Sequence, residues 1–485
     1  MKTLKHTIIV LAALTFLVTS CGKDFLRPPI PTVLEETQSL NTAQDIQNAV
    51  IGAYSALAGM TFLGRNGLAL VDAMGDLAVA NNFLFAFCDY SYNATRGDLG
   101  GFWTEPYRTI DRSARVIRGG KRVLSEGGLT ARDQSSINLS IAQAYGLKAY
   151  SHWYLVNLFA VPYTFGPDSA AVVLVDENPI TIETDVKKAT VAETYALILK
   201  DIGFAKTYFA ASDGAAYPAN EKFFMNEGAI YALEARVHLY MENWSDAVTA
   251  AQTALSKSGA TAVTNANYIA MWGLSNTTNT VEDIFTLNFT SATGANMAGT
   301  LWGTQNSGSV TSKLLDLYQP EDVRLNLYEE WASPPRPQNY RGVKFPNLTN
   351  FNLPVFRASE MYLIMAEAEA QRSGGSIANA QNFLFNVAKR NEAITAATQL
   401  PSDKTELLAF IADERGRELT QEGHRWFDLR RRGDIMNRKF GDAAMPWINV
   451  DVKRIVLPLH SSEINAGKLS QTNWMEHMPK QLATP

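Results

Sequence analysis

Apolar side chains recur at helical spacing over most of the chain. Ile46, Val50 and Ala53 follow one another at intervals of three or four residues, which is typical of an amphipathic α-helix. Thr42 and Asp45 precede them as a capping box, in which each side chain bonds a backbone N–H that the first helical turn leaves without a partner. The pattern therefore predicts that the first helix of the folded body begins after Thr42.

A longer pattern begins at Thr130 and Asp133 and continues to about Leu158. Further helices are predicted at about 102–118, 190–209, 223–241, 245–257, 357–372, 377–391 and 403–420. Strand-like runs are few and short, and they cover Asp283–Leu287 and Ile455–Leu457. The pattern as a whole predicts a mainly α fold.

Two of the predicted helix pairs have small residues at corresponding places. Ala235 and Ala247 in the first pair match Ala368 and Ala380 in the second. Small residues there allow the two helices of a hairpin to approach closely, as in tetratricopeptide units. The two copies lie too far apart for that repeat's regular period, so we expect tetratricopeptide-like helix hairpins that form a scaffold but no regular solenoid.

Two stretches, 60–101 and 259–353, interrupt the helical pattern. The second is rich in Gly, Asn, Thr, Ser and Pro, and a loop region of that length inside a folded body is more often functional than idle. We therefore expect a helical scaffold at about 42–258 and 354–435, with a loop-rich insertion region that carries few short strands and forms the ligand region.

The composition excludes several classes of protein. Of the 485 residues, 46% are hydrophobic and 19% are charged, so the chain can bury a large core and is neither disordered nor embedded in a membrane. Acidic residues outnumber basic ones by 48 to 43, giving a net charge of -5. Because such a surface repels phosphate backbones, we expect no nucleic-acid partner.

The first residues have the pattern of an export signal. Two lysines precede the apolar stretch Ile8–Val18, which is shorter than the ~20 residues that span a bilayer. Small or apolar residues then lead to Cys21, as in the lipobox of bacterial lipoproteins, where that cysteine is acylated. We expect residues 1–20 to be a lipoprotein signal peptide, Cys21 to carry lipid such as palmitate, and residues 21–41 to be a lipidated, Pro-rich tether.

The last third of the chain contains the most specific motifs. From Arg357 onward it has the pattern Arg-x-x-Glu-x-Tyr-Leu-x-x-Ala-Glu-Ala. In order, the motifs are Phe356–Ala368, Glu414–Leu419, Glu422–Arg431 and Leu457–Leu459. Together they resemble the SusD/RagB family of outer-membrane lipoproteins of Bacteroidetes, and the resemblance extends from about Cys21 to Trp474.

The resemblance implies a fold and a function. It implies a single SusD-like domain at 42–485 that is not an enzyme and that captures a nutrient, usually an oligosaccharide, at the cell surface. It also implies delivery of that ligand to a SusC-like TonB-dependent barrel in the outer membrane, over which the protein sits as a lid. The histidines show no metal-ligand spacing, so we expect no metal site and no cofactor.

Glu414 and Glu418 suggest an enzymatic alternative. They fall on one stripe of a predicted helix with Cβ atoms ~6 Å apart, near the ~5–5.5 Å between the carboxyl groups of a retaining glycosidase. Buried carboxylates also need cationic partners. The cations of the same motifs are Arg357, Arg415, Arg417 and Arg425. We expect a structural ion network, with a surface glycoside hydrolase and a helical-repeat scaffold that binds only protein left as alternatives.

Aromatic and amide side chains in the two loop-rich stretches are the candidates for ligand binding. Pyranose rings offer apolar faces and a rim of hydroxyls, so they are bound by aromatic rings and hydrogen-bonding side chains. The candidates are Asn81, Phe83, Tyr90, Tyr92, Trp272, Asn296, Trp302, Trp331 and Tyr340. Other indoles lie in helical motifs, where we expect them in the core: Trp103, Trp153, Trp244 and Trp426.

Overall fold

The computed structural model describes most of the chain after residue 38. The described residues are 39–80, 84–178, 184, 186–213, 215–217, 220–273, 278–289, 308–330, 340–342, 344–345, 351–438 and 448–471. Cys21 lies outside them, so acylation at that position stays a prediction.

Helices dominate the described residues and confirm the mainly α fold. In chain order they are α1 Ala43–Leu57, α2 Asn66–Ala73, α3 Phe85–Cys88, α4 Gly97–Glu126, α5 Ala131–Phe159, α6 Val191–Ala210, α7 Glu227–Tyr240, α8 Trp244–Ser258, α9 Asn265–Trp272, α10 Ser312–Asp316, α11 Ala358–Gln371, α12 Ile377–Ala388, α13 Lys404–Leu419, α14 Arg425–Arg432 and α15 Ser461–Asn465. A π-helical turn at Met60–Gly64 and short 3₁₀ turns, one of them at Val323–Leu327, complete the helical structure described.

The strands are short and form antiparallel pairs. They are β1 Ala78–Ala80, β2 Ala170–Val173, β3 Lys188–Thr190, β4 Asp283–Phe289, β5 Gly308–Val310, β6 Tyr328–Glu330, β7 Tyr340–Gly342, β8 Phe351–Arg357, β9 Ile435–Arg438 and β10 Ile448–Asp451. Within the described ranges the pairs are β1 with β5, β2 with β3, β4 with β8, β6 with β7, and β9 with β10.

Local sequence accounts for the starts of helices α1 and α5. Thr42 and Asp45 form the predicted capping box at α1, and the Thr130 hydroxyl accepts the Asp133 N–H at the start of α5. Each cap satisfies a backbone donor that the first turn of a helix leaves without a partner.

One short helix that is buried on all sides, α2, was not visible in the hydrophobic pattern. Every residue of α2 is buried, although it lies inside the stretch 60–101 that lacks a period. Periodicity reports a contrast between a buried and an exposed face, and a helix without an exposed face has no such contrast. The same stretch also contains the start of α4, which begins at Gly97 and is longer than predicted.

Helices that follow one another in the chain pack side by side. Helix α5 lies between α4 and α6, and its residues from Leu139 to Phe159 are all buried. The two predicted hairpins are α7 with α8 and α11 with α12, and α8 packs directly against α11. The two copies are therefore neighbours in space, although about a hundred residues separate them in the chain.

The strand predicted at Ile455–Leu457 is wrong. These residues follow a 3₁₀ turn at Val452–Arg454 and pair with no strand in the described ranges. The Leu457 N–H instead donates to the Leu158 carbonyl at 2.9 Å, at the end of α5. The apolar character of the run reflects burial against that helix end, not membership of a sheet.

One apolar core extends from Leu40 to Leu459 and includes Trp103, Trp153 and Trp426, as predicted for these indoles. Trp244 is partly buried and packs against the same core. A smaller core lies between α11, α12 and α13. Within the described ranges, none of the helices combines the length and the apolar character needed to cross a membrane.

Candidate functional site

Strands β1 and β5 join the two loop-rich stretches of the sequence. They pair antiparallel with Ala80 opposite Gly308. In an antiparallel pair, the end of one strand lies beside the start of the other. The end of β1, which leads into residues 81–83, therefore lies beside the start of β5, which follows residues 290–307. Candidate ligand residues in these two stretches lie outside the described residues: Asn81, Phe83, Asn296 and Trp302.

A second strand pair lies beside the first. Strand β7 is a neighbour of β5 and pairs with β6, with Tyr340 opposite Glu330. Tyr340 is 38% exposed. Trp331 follows Glu330 directly and lies outside the described residues. We call the four strand ends at Ala80, Gly308, Glu330 and Tyr340 the candidate site.

Ion pairs and a hydrogen bond fix the residue Asp76, just before β1. The Asp76 carboxylate, buried just before β1, accepts hydrogen bonds from Arg425 and Lys313, both at 2.6 Å. The Asp76 carbonyl also accepts the Thr311 hydroxyl at 3.0 Å. Burial by itself would raise the pKa of Asp76, but the charges of Arg425 and Lys313 outweigh burial and hold it well below its usual range.

Tyr90 and Tyr92 do not face solvent, contrary to their selection as ligand residues. They are 4% and 3% exposed. The Tyr90 hydroxyl donates to the Met74 carbonyl at 2.5 Å, and the Tyr92 ring stacks on Phe87 with ring centroids 5.0 Å apart. These rings fill the core beneath their own segment, so neither offers a face to a ligand in this structure.

Trp272 is also buried, at 6% exposure. Its ring lies 4.4 Å from the Lys344 ammonium and packs edge-on against Phe345, with centroids 5.8 Å apart. Tyr268, one turn earlier on α9, packs edge-on against the same indole, with ring centroids 6.2 Å apart. Trp272 therefore lies under the segment that follows β7 and not on the surface of the candidate site.

Glu414 and Glu418 belong to a buried ion network, as predicted. Glu414 accepts from Arg324 at 2.8 Å and from Arg417 at 2.6 Å. Glu418 is bonded by Arg324 at 3.0 Å, Arg357 at 2.7 Å and Arg390 at 3.2 Å. Each carboxylate therefore has more than one cationic donor, which is what burial of a charge requires.

The network also disfavours acid catalysis by these carboxyls. Burial would raise the pKa of Glu414, but Arg324 and Arg417 outweigh it and lower the pKa below its usual range. The pKa of Glu418 is likewise well below its usual range, because Arg390 and Arg357 outweigh its burial. A glycosidase's general acid needs a raised pKa, so neither carboxyl is prepared to donate a proton.

Several network members were not predicted from the sequence. Glu282, the residue before β4, accepts from Arg357 at 2.8 Å and also pairs with Arg390. Arg324, which lies in the 3₁₀ turn Val323–Leu327, bridges Glu414 and Asp322. These residues lie in or beside the loop-rich region, where no local pattern distinguishes a buried charge from an exposed one.

Two of the four predicted cations have other partners. Arg415 pairs with Asp428 at 2.8 Å, and Arg425 pairs with Asp76. Of the four predicted cations, Arg357 contacts Glu418 and Arg417 contacts Glu414. In the described ranges, no group of three His, Cys, Asp or Glu side chains is arranged to hold a metal ion.

Family models match most of the chain. Residues 26–239 match a family described as starch-binding associating with outer membrane, and residues 338–473 match the SusD family. The chain is 24% identical to SusD-like protein P2 of Formosa agariphila over 96% of this chain and 97% of that protein.

Solved structures of the same shape cover the chain almost as fully. A SusD superfamily protein from Bacteroides thetaiotaomicron is 23% identical, with a TM-score of 0.78 over 89% of this chain and 99% of the other. Surface glycan-binding protein A from Bacteroides fluxus is 20% identical, with a TM-score of 0.69 over the same shares. At these identities the likeness concerns the fold, and it agrees with the tetratricopeptide-like scaffold described above.

Proposed function

This chain belongs to the SusD/RagB family, and on that premise we propose that it binds an oligosaccharide at the cell surface and passes it to a SusC-like TonB-dependent transporter. In this proposal, residues 42–485 act as a single domain that forms a lid over the barrel. The family description that names starch binding, and the similar fold of a surface glycan-binding protein, support the ligand class.

The observation that carries the proposal is the pairing of β1 with β5. It places the connections to two separate loop-rich stretches side by side, and β6 and β7 add a third connection next to them. Side chains drawn from distant parts of the chain can then meet around one ligand, as binding sites for small molecules require. The proposed contact residues are Asn81, Phe83, Asn296, Trp302, Trp331 and Tyr340.

We propose that the protein binds without catalysis. A glycosidase needs two carboxyls that reach the substrate, one of them with a raised pKa. Glu414 and Glu418 are buried, are engaged by arginines, and have lowered pKa values. This geometry favours a structural role for the pair over the hydrolase alternative.

We also propose that Cys21 carries the lipid anchor and that the folded body faces the cell exterior. The family description mentions association with the outer membrane, which supports this location. The chain between Cys21 and the first described residue, Ser39, is long enough to hold the body above the membrane, since an extended chain spans at most ~3.3–3.6 Å per residue.

Affinity purification from outer membranes followed by mass spectrometry tests the transporter part of the proposal. We expect a TonB-dependent barrel at a yield comparable to the bait, and recovery of other proteins without a barrel would favour the scaffold alternative. Calorimetry with soluble starch and laminarin, and with cellulose oligosaccharides as a comparison, tests the ligand class. Failure of every glycan to bind would contradict it.

A further inference from the structure

Lys344 is a buried lysine in the segment that follows β7. It is 1% exposed, and lysine is almost never buried so completely unless its charge is paired. Its ammonium donates to the Glu418 carbonyl at 2.8 Å, the Thr420 carbonyl at 3.0 Å and the Glu422 carboxylate at 2.5 Å. All donors of the ammonium are therefore used at one place, the end of α13 and the turn that follows it.

Trp272 forms the other side of this lysine site. The Lys344 ammonium lies 4.4 Å from the centre of the indole ring, within the range of a cation–π contact. The next residue, Phe345, packs against the same indole. Burial lowers the pKa of Lys344, and the charge of Glu422 opposes that shift. The side chain is thus held by hydrogen bonds on one side and by an aromatic ring on the other.

The hairpin of β6 and β7 rests on the same end of α13 through further contacts. The Tyr328 hydroxyl in β6 meets the Tyr318 hydroxyl at 3.0 Å, and Tyr318 donates to the Arg417 carbonyl at 2.8 Å. Gly342 in β7 lies so close to the Gln421 amide that a Cβ atom at 342 would come within 2.2 Å of it. The pair is therefore fixed at the end that carries Tyr328 and Gly342, while Tyr340 lies at the opposite end and is exposed.

We propose that Lys344, held over Trp272, is a positioning residue that sets the place of the β6–β7 hairpin and, through it, of Tyr340 in the candidate site. Only the expected effect on ligand affinity rests on the proposed function. Trp272, selected from the sequence as a ligand aromatic, then acts through Lys344 and does not touch the ligand. The hairpin's position itself is measurable without any ligand.

Lys344→Met tests the proposal, with Lys148→Met as the matched control. Lys148 is also fully buried and also pairs with a carboxylate, Asp201 at 2.9 Å, but it joins α5 to α6 in the scaffold. Hydrogen exchange followed by mass spectrometry should show the amides of Tyr340–Gly342 exchanging at least about tenfold faster in Lys344→Met, because the local opening free energy sets that rate. Exchange there should be unchanged in Lys148→Met.

Binding of soluble starch and laminarin provides the second measurement. For whichever probe the wild-type protein binds, we expect affinity to fall by about tenfold in Lys344→Met and to stay within twofold in Lys148→Met. Unchanged exchange at Tyr340–Gly342 in a folded Lys344→Met protein would overturn the proposal. If wild type binds neither probe, the glycan assignment fails, while the exchange comparison still decides the role of Lys344.

Trp272→Phe keeps the test decisive if Lys344→Met does not fold. Phenylalanine retains an apolar ring but has a weaker attraction for a cation than tryptophan. We expect the same three amides to exchange faster than in wild type, by a smaller factor than in Lys344→Met. Equal exchange in Trp272→Phe and wild type would show that the indole does not hold Lys344 and would overturn that part of the proposal.

Discussion

Replacing Glu414 by glutamine removes one charge from the buried network and leaves the shape of the side chain almost unchanged. The carboxylate is 1% exposed and accepts from Arg324 at 2.8 Å and Arg417 at 2.6 Å. Arg324 keeps two other carboxylates in the variant, Asp322 at 2.7 Å and Glu418 at 3.0 Å. The perturbation is therefore confined to two charge-assisted contacts.

The expected cost follows from those two contacts. A hydrogen bond to a charged group contributes about 1.5–3 kcal/mol, and breaking a buried ion pair costs ~3–5 kcal/mol. Because Arg324 retains other partners, we expect the free energy of unfolding to fall by ~3 kcal/mol, the lower end of the range for a broken buried ion pair. The unfolding entropy of a chain of this size is ~1 kcal/mol per degree, so the melting temperature should fall by about 3 °C.

Differential scanning calorimetry at neutral pH measures this shift. Asp111→Asn is the control, because its pair with Arg115 is half exposed at 49% for both side chains, and exposed pairs contribute only ~0–1 kcal/mol. The pKa of Glu414 is below its ordinary value of 4.5 in the folded state, so its contribution is complete above that pH and is lost as the pH falls further. The difference between wild type and Glu414→Gln should therefore shrink in acid.

An unchanged melting temperature in Glu414→Gln would refute the assignment of Glu414 to the structural network. The strongest contrary result would be hydrolysis of a glycan by the wild-type protein that disappears in the variant without any loss of stability. That pair of results would make Glu414 catalytic and would favour the hydrolase.

Three further predictions concern the anchor, the aromatic residues and acid stability. Cys21→Ser should release the protein from membranes and abolish palmitate labelling, and a variant that stays in the outer-membrane fraction would contradict the anchor. Trp302→Ala should weaken glycan binding with little change in melting temperature, whereas Trp426→Ala, which removes a fully buried indole, should cost ~3–5 kcal/mol of stability. Burial and the charge of Lys148 lower the pKa of His152 from 6.5 to about 3. The unfolded chain therefore binds a proton below pH 6.5 that the folded protein does not bind, so the free energy of unfolding of the wild type should fall as the pH drops below 6.5. Urea titration should show a less steep fall in His152→Gln.

Sequence periodicity predicted most of the longer helices, including α5 and α11, although both are largely buried. Helices α1 and α8 were found near their true bounds, and the cap at Thr42 placed the start of α1. Helix α2 was missed and the run Ile455–Leu457 was misassigned because both are short and buried all round. In so short a segment, burial on every side leaves no contrast between apolar and polar positions.

The sequence predicts a loop-rich region for the candidate site, and that region stays a prediction; the sequence does not separate exposed from buried residues within it. Tyr90 and Trp272 were predicted to bind the ligand because they are aromatic residues in loop-rich stretches, yet both are buried. Tyr340 came from the same criterion and is exposed. No local signal separates these cases, because exposure depends on which distant segment lies above each ring.

The sequence by itself determined the helical class, the family motifs and the need of Glu414 and Glu418 for cationic partners. Only the tertiary structure decided that Arg324 and Arg390 are among those partners, and that Lys344 binds the end of α13. It also decided that β1 meets β5 and joins stretches far apart in the chain. Hydrophobic periodicity and helix caps can be read from a few neighbouring residues, and so can the presence of a carboxylate that needs a counter-ion. Which cation becomes its partner depends on which remote segments packing brings together.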